Sequence, residues 1–310
     1  MPKIIITEFM DEAAVDDLRQ DFEVVYETAL FEHRDELKQL LPGVRALIVR
    51  NRTQVDRGLL DAAADLQVVG RLGVGLDNID LDACRERGVE VCPARGANED
   101  SVAEYVIAMA LVLLREAYTD KHAMLSGQWP RAALIGHEVA GKRLGLVGVG
   151  AIARKTVDRA LALGMRVAGH DPFVDAGDII WQTVERQEFD TLLEQSDIIS
   201  LHVPLTESTR ALIGAAALAR MQPSAVLINA ARGGIVDEQA LVDALHASRL
   251  SGAALDVFES EPLTREAASR FKGAPNLILT PHIAGLTVES DARVSAMTAA
   301  NVRRVLAERR

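Results

Sequence analysis

Short apolar runs alternate with amphipathic stretches along most of the chain. "KIIIT" (3–7) predicts a strand and "DEAAVDDLRQD" (11–21) a helix. "EVVYE" (23–27), "RALIVR" (45–50), "QVVGRLG" (67–73) and "VEVCP" (89–93) continue the strands. "HRDELKQLLPG" (33–43), "DRGLLDAAADL" (56–66) and "LDACRERG" (81–88) supply helices between them. Strands separated by helices of this length imply a parallel sheet with crossovers.

A long helical stretch is expected from about Ser101 to Leu125, followed by a turn-rich connector, "GQWPRAALIGHEVAGK" (127–142). The alternation then restarts with "RLGLVGVG", a helix, "RVAGHDP", "DIISLHVP", "AVLINAARGG", a helix, "GAALDVF" and "LILTPH". The tail, about 286–310, reads as one more helix. The pattern therefore predicts two parallel α/β units joined by the long helix.

Length and composition add limits. The 310 residues, 49% of them hydrophobic, suffice for two domains with their own cores. A net charge of −11 disfavours nucleic acid and anionic membranes as partners, so positive charge for an anionic ligand must be local. Cys84 and Cys92 form no CxxC pair and lie near no histidine cluster, which points to reduced thiols in a cytoplasmic protein and to no metal site. The N-terminal "MPKIIITEFMDE" lacks the features of a signal peptide. The longest apolar run, "YVIAMALVLL" (105–114), is too short to span a bilayer.

The stretch after Arg143 carries the first candidate chemistry. A buried strand ends at Gly148, and Gly150 and Ala153 complete G-x-G-x-x-A at a helix entry. The first glycine permits a tight turn, the second admits a pyrophosphate, and the third small residue lets helix and sheet pack closely. The helix-start amides, at Ala151 and Ile152, would face the phosphates. Asp171 follows at the end of the next strand, about 20 residues on, where an acid hydrogen-bonds a ribose. Its carboxylate would repel a 2′-phosphate, and Pro172 and Phe173 offer no arginine to accept one, so NAD is favoured over NADP. "GRLGVGLDN" (70–78) is a second glycine loop, readable as an anion nest or as an ordinary loop.

Three later strands end in polar residues: Arg232, Glu261 and His282. Each alone could be structural. In an open α/β sheet, however, ligands sit beyond the carboxyl ends of the strands, where these three can converge. A guanidinium grips a carboxylate with two hydrogen bonds and polarises the adjacent carbonyl. Imidazole exchanges a proton near neutral pH, and a neighbouring carboxylate favours imidazolium and fixes the ring. Such a site suits interconversion of a 2-keto acid and a 2-hydroxy acid.

"GVGAIA", "NAARGGIVDE", "GAALDVFESEP" and "TPHIAG", in this order, resemble the D-isomer-specific 2-hydroxyacid dehydrogenases, and "VVGRLGVGLDNIDL" is similar to the family's substrate loop. The resemblance implies two Rossmann-like or flavodoxin-like parallel-sheet domains. A nucleotide domain (99–285) would be inserted into a substrate domain (1–98 and 286–310). It implies Arg232 as substrate clamp, His282 as acid/base and Glu261 as its partner. It implies that Gly73, Val74 and Gly75 hold the substrate carboxylate. Ser101, His202, Val203, Pro204, Thr209, Ala230, Ala231 and Asp256 match cofactor-lining positions, as do Ala284 and Gly285 beside His282. A homodimer paired through the nucleotide domains is the family expectation. Formate dehydrogenases share the fold but pair His with Gln, so Glu261 disfavours that branch.

Arg50, Asn51 and Arg52 end a strand of the substrate domain and could bind a second anionic group, or be solvated surface charge. "ITEFMDEAAV" and "LIVRNRTQVD" look similar to the sulfolactate-oxidising branch, and less closely to the 3-phosphoglycerate branch. Hydroxypyruvate or glyoxylate reduction is the alternative. A chain ending at residue 310 leaves no room for the regulatory domain of long phosphoglycerate enzymes. The C-terminal-binding-protein corepressors, NAD-sensing interaction proteins similar to this fold, are a non-enzyme alternative, disfavoured by the absence of long disordered tails.

Overall fold

The computed structural model describes Met1, residues 3–116 and residues 121–309. The chain divides into two compact units, Met1–Asn98 with Leu286–Arg310, and Glu99–Gly285.

The first unit contains β1 (Lys3–Ile6), α1 (Glu12–Arg19), β2 (Glu23–Tyr26), α2 (Arg34–Leu40), β3 (Val44–Val49), α3 (Arg57–Leu60), β4 (Val68–Arg71), α4 (Leu81–Glu86) and β5 (Glu90–Pro93). The strands form one sheet in the order β2-β1-β3-β4-β5, every pair parallel. This is the flavodoxin-like order. Its central strands are mostly apolar because both faces are covered. Ile4, Ile6, Ala46, Ile48 and Val68 enter one core, while Ile5, Leu47, Val49 and Val69 enter the other. "DRGLLDAAADL" makes one helical turn, not the longer helix expected. After α3 buries Leu59 and Leu60, the chain tightens, with Ala62 N–H bonding Leu59 O and Ala63 N–H bonding Leu60 O.

The second unit opens with α5 (Glu99–Arg115) and α6 (Lys121–Leu125). The single helix expected from Ser101 to Leu125 is thus two, and residues 117–120 of that expectation lie outside the described residues. The cause is visible at the end of α5: Glu116 has φ +51, His137 N–H bonds Leu114 O at 2.8 Å, and Asn276 Nδ2 bonds Leu113 O at 3.3 Å. Those bonds satisfy carbonyls left open by the last turn. Then follow β6 (Arg143–Val147), α7 (Ala151–Ala162), β7 (Arg166–His170), β8 (Glu185–Arg186), α8 (Phe189–Gln195), β9 (Ile198–Leu201), α9 (Ala215–Arg220), β10 (Val226–Asn229), α10 (Glu238–His246), β11 (Gly252–Leu255), α11 (Arg265–Ala268) and β12 (Leu277–Leu279).

The seven strands are parallel in the order β12-β11-β10-β9-β6-β7-β8, a doubly wound sheet whose order reverses between β6 and β9. Sequence periodicity passed over α8, α9, α11 and the two-residue edge strand β8, all too short for a clear repeat. On one face the sheet meets Val106, Ala110 and Leu113 of α5 and Val157 of α7; on the other it meets Leu192, Leu218 and Leu241 of α8, α9 and α10.

The chain then returns to the first unit as α12 (Val288–Glu308), started by a capping box between Thr287 and Ser290. Val302, Val305 and Leu306 join the core that contains Ile4 and Ile48. Among the described residues, no helix is long and apolar enough to cross a membrane.

Candidate active site

The glycine turn lies at the point where the sheet reverses. Gly148 follows β6 with φ +90, and a Cβ there would meet His202 O at 2.8 Å. Its backbone approaches the end of β9 so closely that only glycine fits. Gly150 differs: φ is −76, and a Cβ would meet nothing within 4 Å. The fold itself does not require glycine here, but a side chain would fill the open space before α7. Gly150 is also the N-cap of α7 and caps no amide with a side chain, so the first-turn N–H groups, at Ala151 and Ile152, remain for an anion. Ala153 is fully buried against the core holding Leu144 and Val167. The residues present therefore fit a dinucleotide.

Asp171 follows β7. One oxygen accepts from Val149 N at 2.8 Å and the other from Phe173 N at 2.9 Å, which fixes the carboxylate beside the glycine turn with lone pairs to spare for hydroxyls. Pro172 is exposed. His202 Nε2 lies 2.9 Å from Ser200 Oγ, and burial pushes its pKa down to about 4, so this imidazole is neutral near pH 7. The loop beyond it, through Val203 and Pro204, is closed by Thr209, whose hydroxyl donates to Pro204 O at 2.6 Å. Ser101, in the first turn of α5, is buried.

Arg232, Glu261 and His282 come together beyond the carboxyl ends of the adjacent strands β10, β11 and β12. His282 Nδ1 lies 2.7 Å from Glu261 Oε2, and Glu261 Oε1 accepts from Phe258 N at 3.0 Å. Burial opposes ionisation of Glu261, but His282, the Phe258 amide and the Arg232 charge outweigh it and hold the carboxyl below the usual glutamate range. On β10, Asn229 sets the turn to Arg232: its side chain donates to Arg232 O at 3.0 Å and accepts from Ala231 N at 3.1 Å. Ala230 and Ala231, inside that turn, are half-buried.

His282 has φ +56, a left-handed conformation uncommon for a side-chain-bearing residue. Asp256, fully buried, holds it there. Its carboxylate accepts from Ile283 N at 2.8 Å, Ala284 N at 2.7 Å and Thr280 Oγ1 at 2.6 Å, and its backbone carbonyl from His282 N at 2.8 Å. Tyr105 of α5 extends the network to Thr280 at 2.6 Å. Gly285 continues the same turn. The carboxylate of Asp256, expected from its motif at a cofactor-lining position, thus anchors the histidine turn.

In the first unit, Arg71 was missed by the sequence reading. It is buried under the glycine loop, where Nε donates to Gly75 O at 2.8 Å and Nη1 to Leu72 O. Gly73 has φ +139, and a Cβ there would fall on Arg71 Nη1. With these carbonyls turned toward the guanidinium, the amides of Val74 and Gly75 donate to no group among the described residues. Free adjacent amides are what an anion nest requires.

The loop after β3 is anchored differently. Buried Glu8 accepts from the amides of Arg50 at 2.9 Å, Arg52 at 3.1 Å and Thr53 at 3.0 Å, and from the Thr53 hydroxyl at 2.8 Å. Arg50 pairs with Asp291 of α12, both side chains mostly buried. Arg52 stacks over Phe31 at 3.7 Å and lies 3.4 Å from Glu32, while Asn51 is exposed. Both guanidiniums thus have carboxylate partners, Arg52 the weaker and more exposed one.

A doubly wound parallel sheet with this glycine turn, and an Arg, Glu and His beyond neighbouring strands, defines a nucleotide-dependent oxidoreductase. A family model of the D-isomer specific 2-hydroxyacid dehydrogenase NAD binding domain matches residues 107–284, and the chain belongs to that family. It is 57% identical over 310 residues to a (S)-sulfolactate dehydrogenase of Chromohalobacter salexigens, covering all of both chains. It is 40% identical over 261 residues to a hydroxypyruvate reductase of Thermotoga maritima, covering 84% of each chain. The crystal structure of a D-lactate dehydrogenase from Aquifex aeolicus, complexed with NAD and lactic acid, matches with a TM-score of 0.89 at 27% identity, over 98% of this chain and 96% of that one. The chain is a 2-hydroxyacid dehydrogenase, as its motifs suggested.

Proposed function

We propose that this dehydrogenase prefers NAD(H) to NADP(H) and interconverts a small 2-hydroxy acid and its 2-keto acid, with sulfolactate and sulfopyruvate the favoured pair. The chemistry rests on one observation: the His282–Glu261 contact of 2.7 Å beside the Arg232 charge. Bound NADH would supply the hydride. Arg232 would grip the substrate carboxylate and polarise the keto group. In the reducing direction, protonated His282 would give its Nε2 proton to the forming alkoxide, while Glu261 stabilises the imidazolium and orients the ring. The amides of Val74 and Gly75 would take a substrate carboxylate oxygen.

The substrate choice is supported by 57% identity over the full length to a (S)-sulfolactate dehydrogenase. A sulfonate would find Arg52, stacked and only weakly paired, more available than Arg50, which is held by Asp291. Hydroxypyruvate is the second reading, supported by the Thermotoga relative. The NAD preference is supported by Asp171 beside the glycine turn.

A homodimer through the second unit is supported by the exposed apolar side chains Leu125, Trp129 and Ile135. A cytoplasmic location fits the two free, buried cysteines. Light scattering of the purified protein tests the dimer.

The test of function is NADH absorbance with glyoxylate, hydroxypyruvate, phosphohydroxypyruvate and sulfopyruvate, repeated with NADPH. Highest kcat/KM for sulfopyruvate with NADH is expected. Higher values for another acid would reassign the substrate, and no turnover of any of them would overturn the reading.

A further inference from the structure

Arg154, on the first turns of α7, lies against the same residue that anchors Asp171. Val149 N–H donates to Asp171 at 2.8 Å, and Val149 O accepts from Arg154 Nε at 3.3 Å. The Arg154 guanidinium is close enough to Asp171 to feel its charge. Its fork is already occupied: Nη1 and Nη2 reach the two oxygens of Asp178 at 3.0 and 2.7 Å. Asp178 also caps the 3-10 turn Ile179–Gln182 by accepting from Ile180 N at 2.9 Å, which fixes it in place. Both side chains are partly exposed, so a ligand can compete for them.

We propose that the Arg154–Asp178 ion pair is a second determinant of cofactor choice, in which Asp178 withholds from a 2′-phosphate the guanidinium that stands beside the ribose carboxylate. This rests on the NAD preference proposed above and adds to it. Enzymes that take NADP provide an arginine near the ribose 2′ position, and a bidentate guanidinium–phosphate contact is strong and geometrically selective. This chain has an arginine in that neighbourhood. Asp178 both satisfies its donors and adds a negative charge to that of Asp171. A 2′-phosphate would meet two carboxylates and one neutralised cation.

The test compares kcat/KM for NADPH with that for NADH, at one keto acid, in the parent, Asp178→Asn, Asp178→Ala, Arg154→Ala and Arg154→Ala/Asp178→Asn. Asparagine keeps an acceptor for the Ile180 cap, so Asp178→Asn remains informative should Asp178→Ala fold poorly. The NADPH:NADH ratio is expected to rise by about tenfold or more in Asp178→Asn, with the gain abolished when Arg154 is also removed. Arg154→Ala alone should not raise the ratio. A ratio within about threefold of the parent in Asp178→Asn, or a gain that survives loss of Arg154, overturns the proposal. The parent's own ratio tests the NAD reading; the change among variants tests the ion pair, so the two can fail separately.

Discussion

His282 Nδ1 lies 2.7 Å from Glu261 Oε2 on a backbone held left-handed, at φ +56, by the buried carboxylate of Asp256. Ring and carboxylate come from loops after adjacent strands, so their contact is fixed by the sheet and not by the loops alone. With Nδ1 engaged, Nε2 is the nitrogen that would exchange a proton with substrate in the proposed reaction.

Replacing His282 by Ala is expected to lower turnover by at least about 10²-fold while NADH still binds. Steady-state kinetics and NADH fluorescence titration measure the two separately. Unchanged turnover would remove His282 from the chemistry. Burial keeps His202 neutral, with a pKa of about 4, so it cannot serve as an imidazolium proton donor in the neutral range.

Glu261 predicts a pH-dependent stability. Its carboxyl is held below the usual range against the opposing effect of burial. A depressed acid contributes stability above its unfolded value, about 4.3, and that contribution is lost as pH falls through the folded value. The parent's advantage over Glu261→Gln should therefore shrink as pH falls below about 5. Urea unfolding of both proteins at a series of pH values below about 5 reads this; an advantage that grows as pH falls through that range contradicts it.

The two glycines of the dinucleotide turn should behave oppositely. Gly148→Ala places a methyl 2.8 Å from His202 O at φ +90 and should cost about 1–3 kcal/mol of stability. Gly150→Ala meets nothing within 4 Å, so its stability should change by less than about 1 kcal/mol. Its NADH affinity should nevertheless fall about tenfold or more, because the methyl occupies the phosphate's approach. Thermal melts with NADH titrations give both values. Full NADH affinity in Gly150→Ala would count against the cofactor site.

Arg71 shapes the loop that would take the substrate carboxylate. Arg71→Met leaves Gly75 O and Leu72 O without their charged donor. KM for the keto acid is expected to rise about tenfold or more, with NADH affinity changed less than about twofold. Equal KM in parent and variant would show that the loop holds its shape without the guanidinium.

Much of this architecture could be read in the chain itself. Strands alternating with helices marked parallel sheets, and the spacing of Gly148, Gly150, Ala153 and Asp171 marked the nucleotide turn. Elements of four to seven residues, such as α8, α9 and α11, are too short to set a helical period against noise. The end of α5 depends on His137 and Asn276, distant in sequence, and no local pattern encodes it. The supporting residues were hidden for the same reason. Glu8, Arg71, Asp256 and Tyr105 act on partners across strands or loops, and their residue types alone do not reveal it.

Glu8 grips the peptide groups of residues 50–53 from beneath, leaving only side chains to face outward at Asn51 and Arg52. The path of the chain there is decoupled from the chemistry it displays. Natural variation or laboratory selection could exchange those two side chains while the backbone of the loop keeps its course.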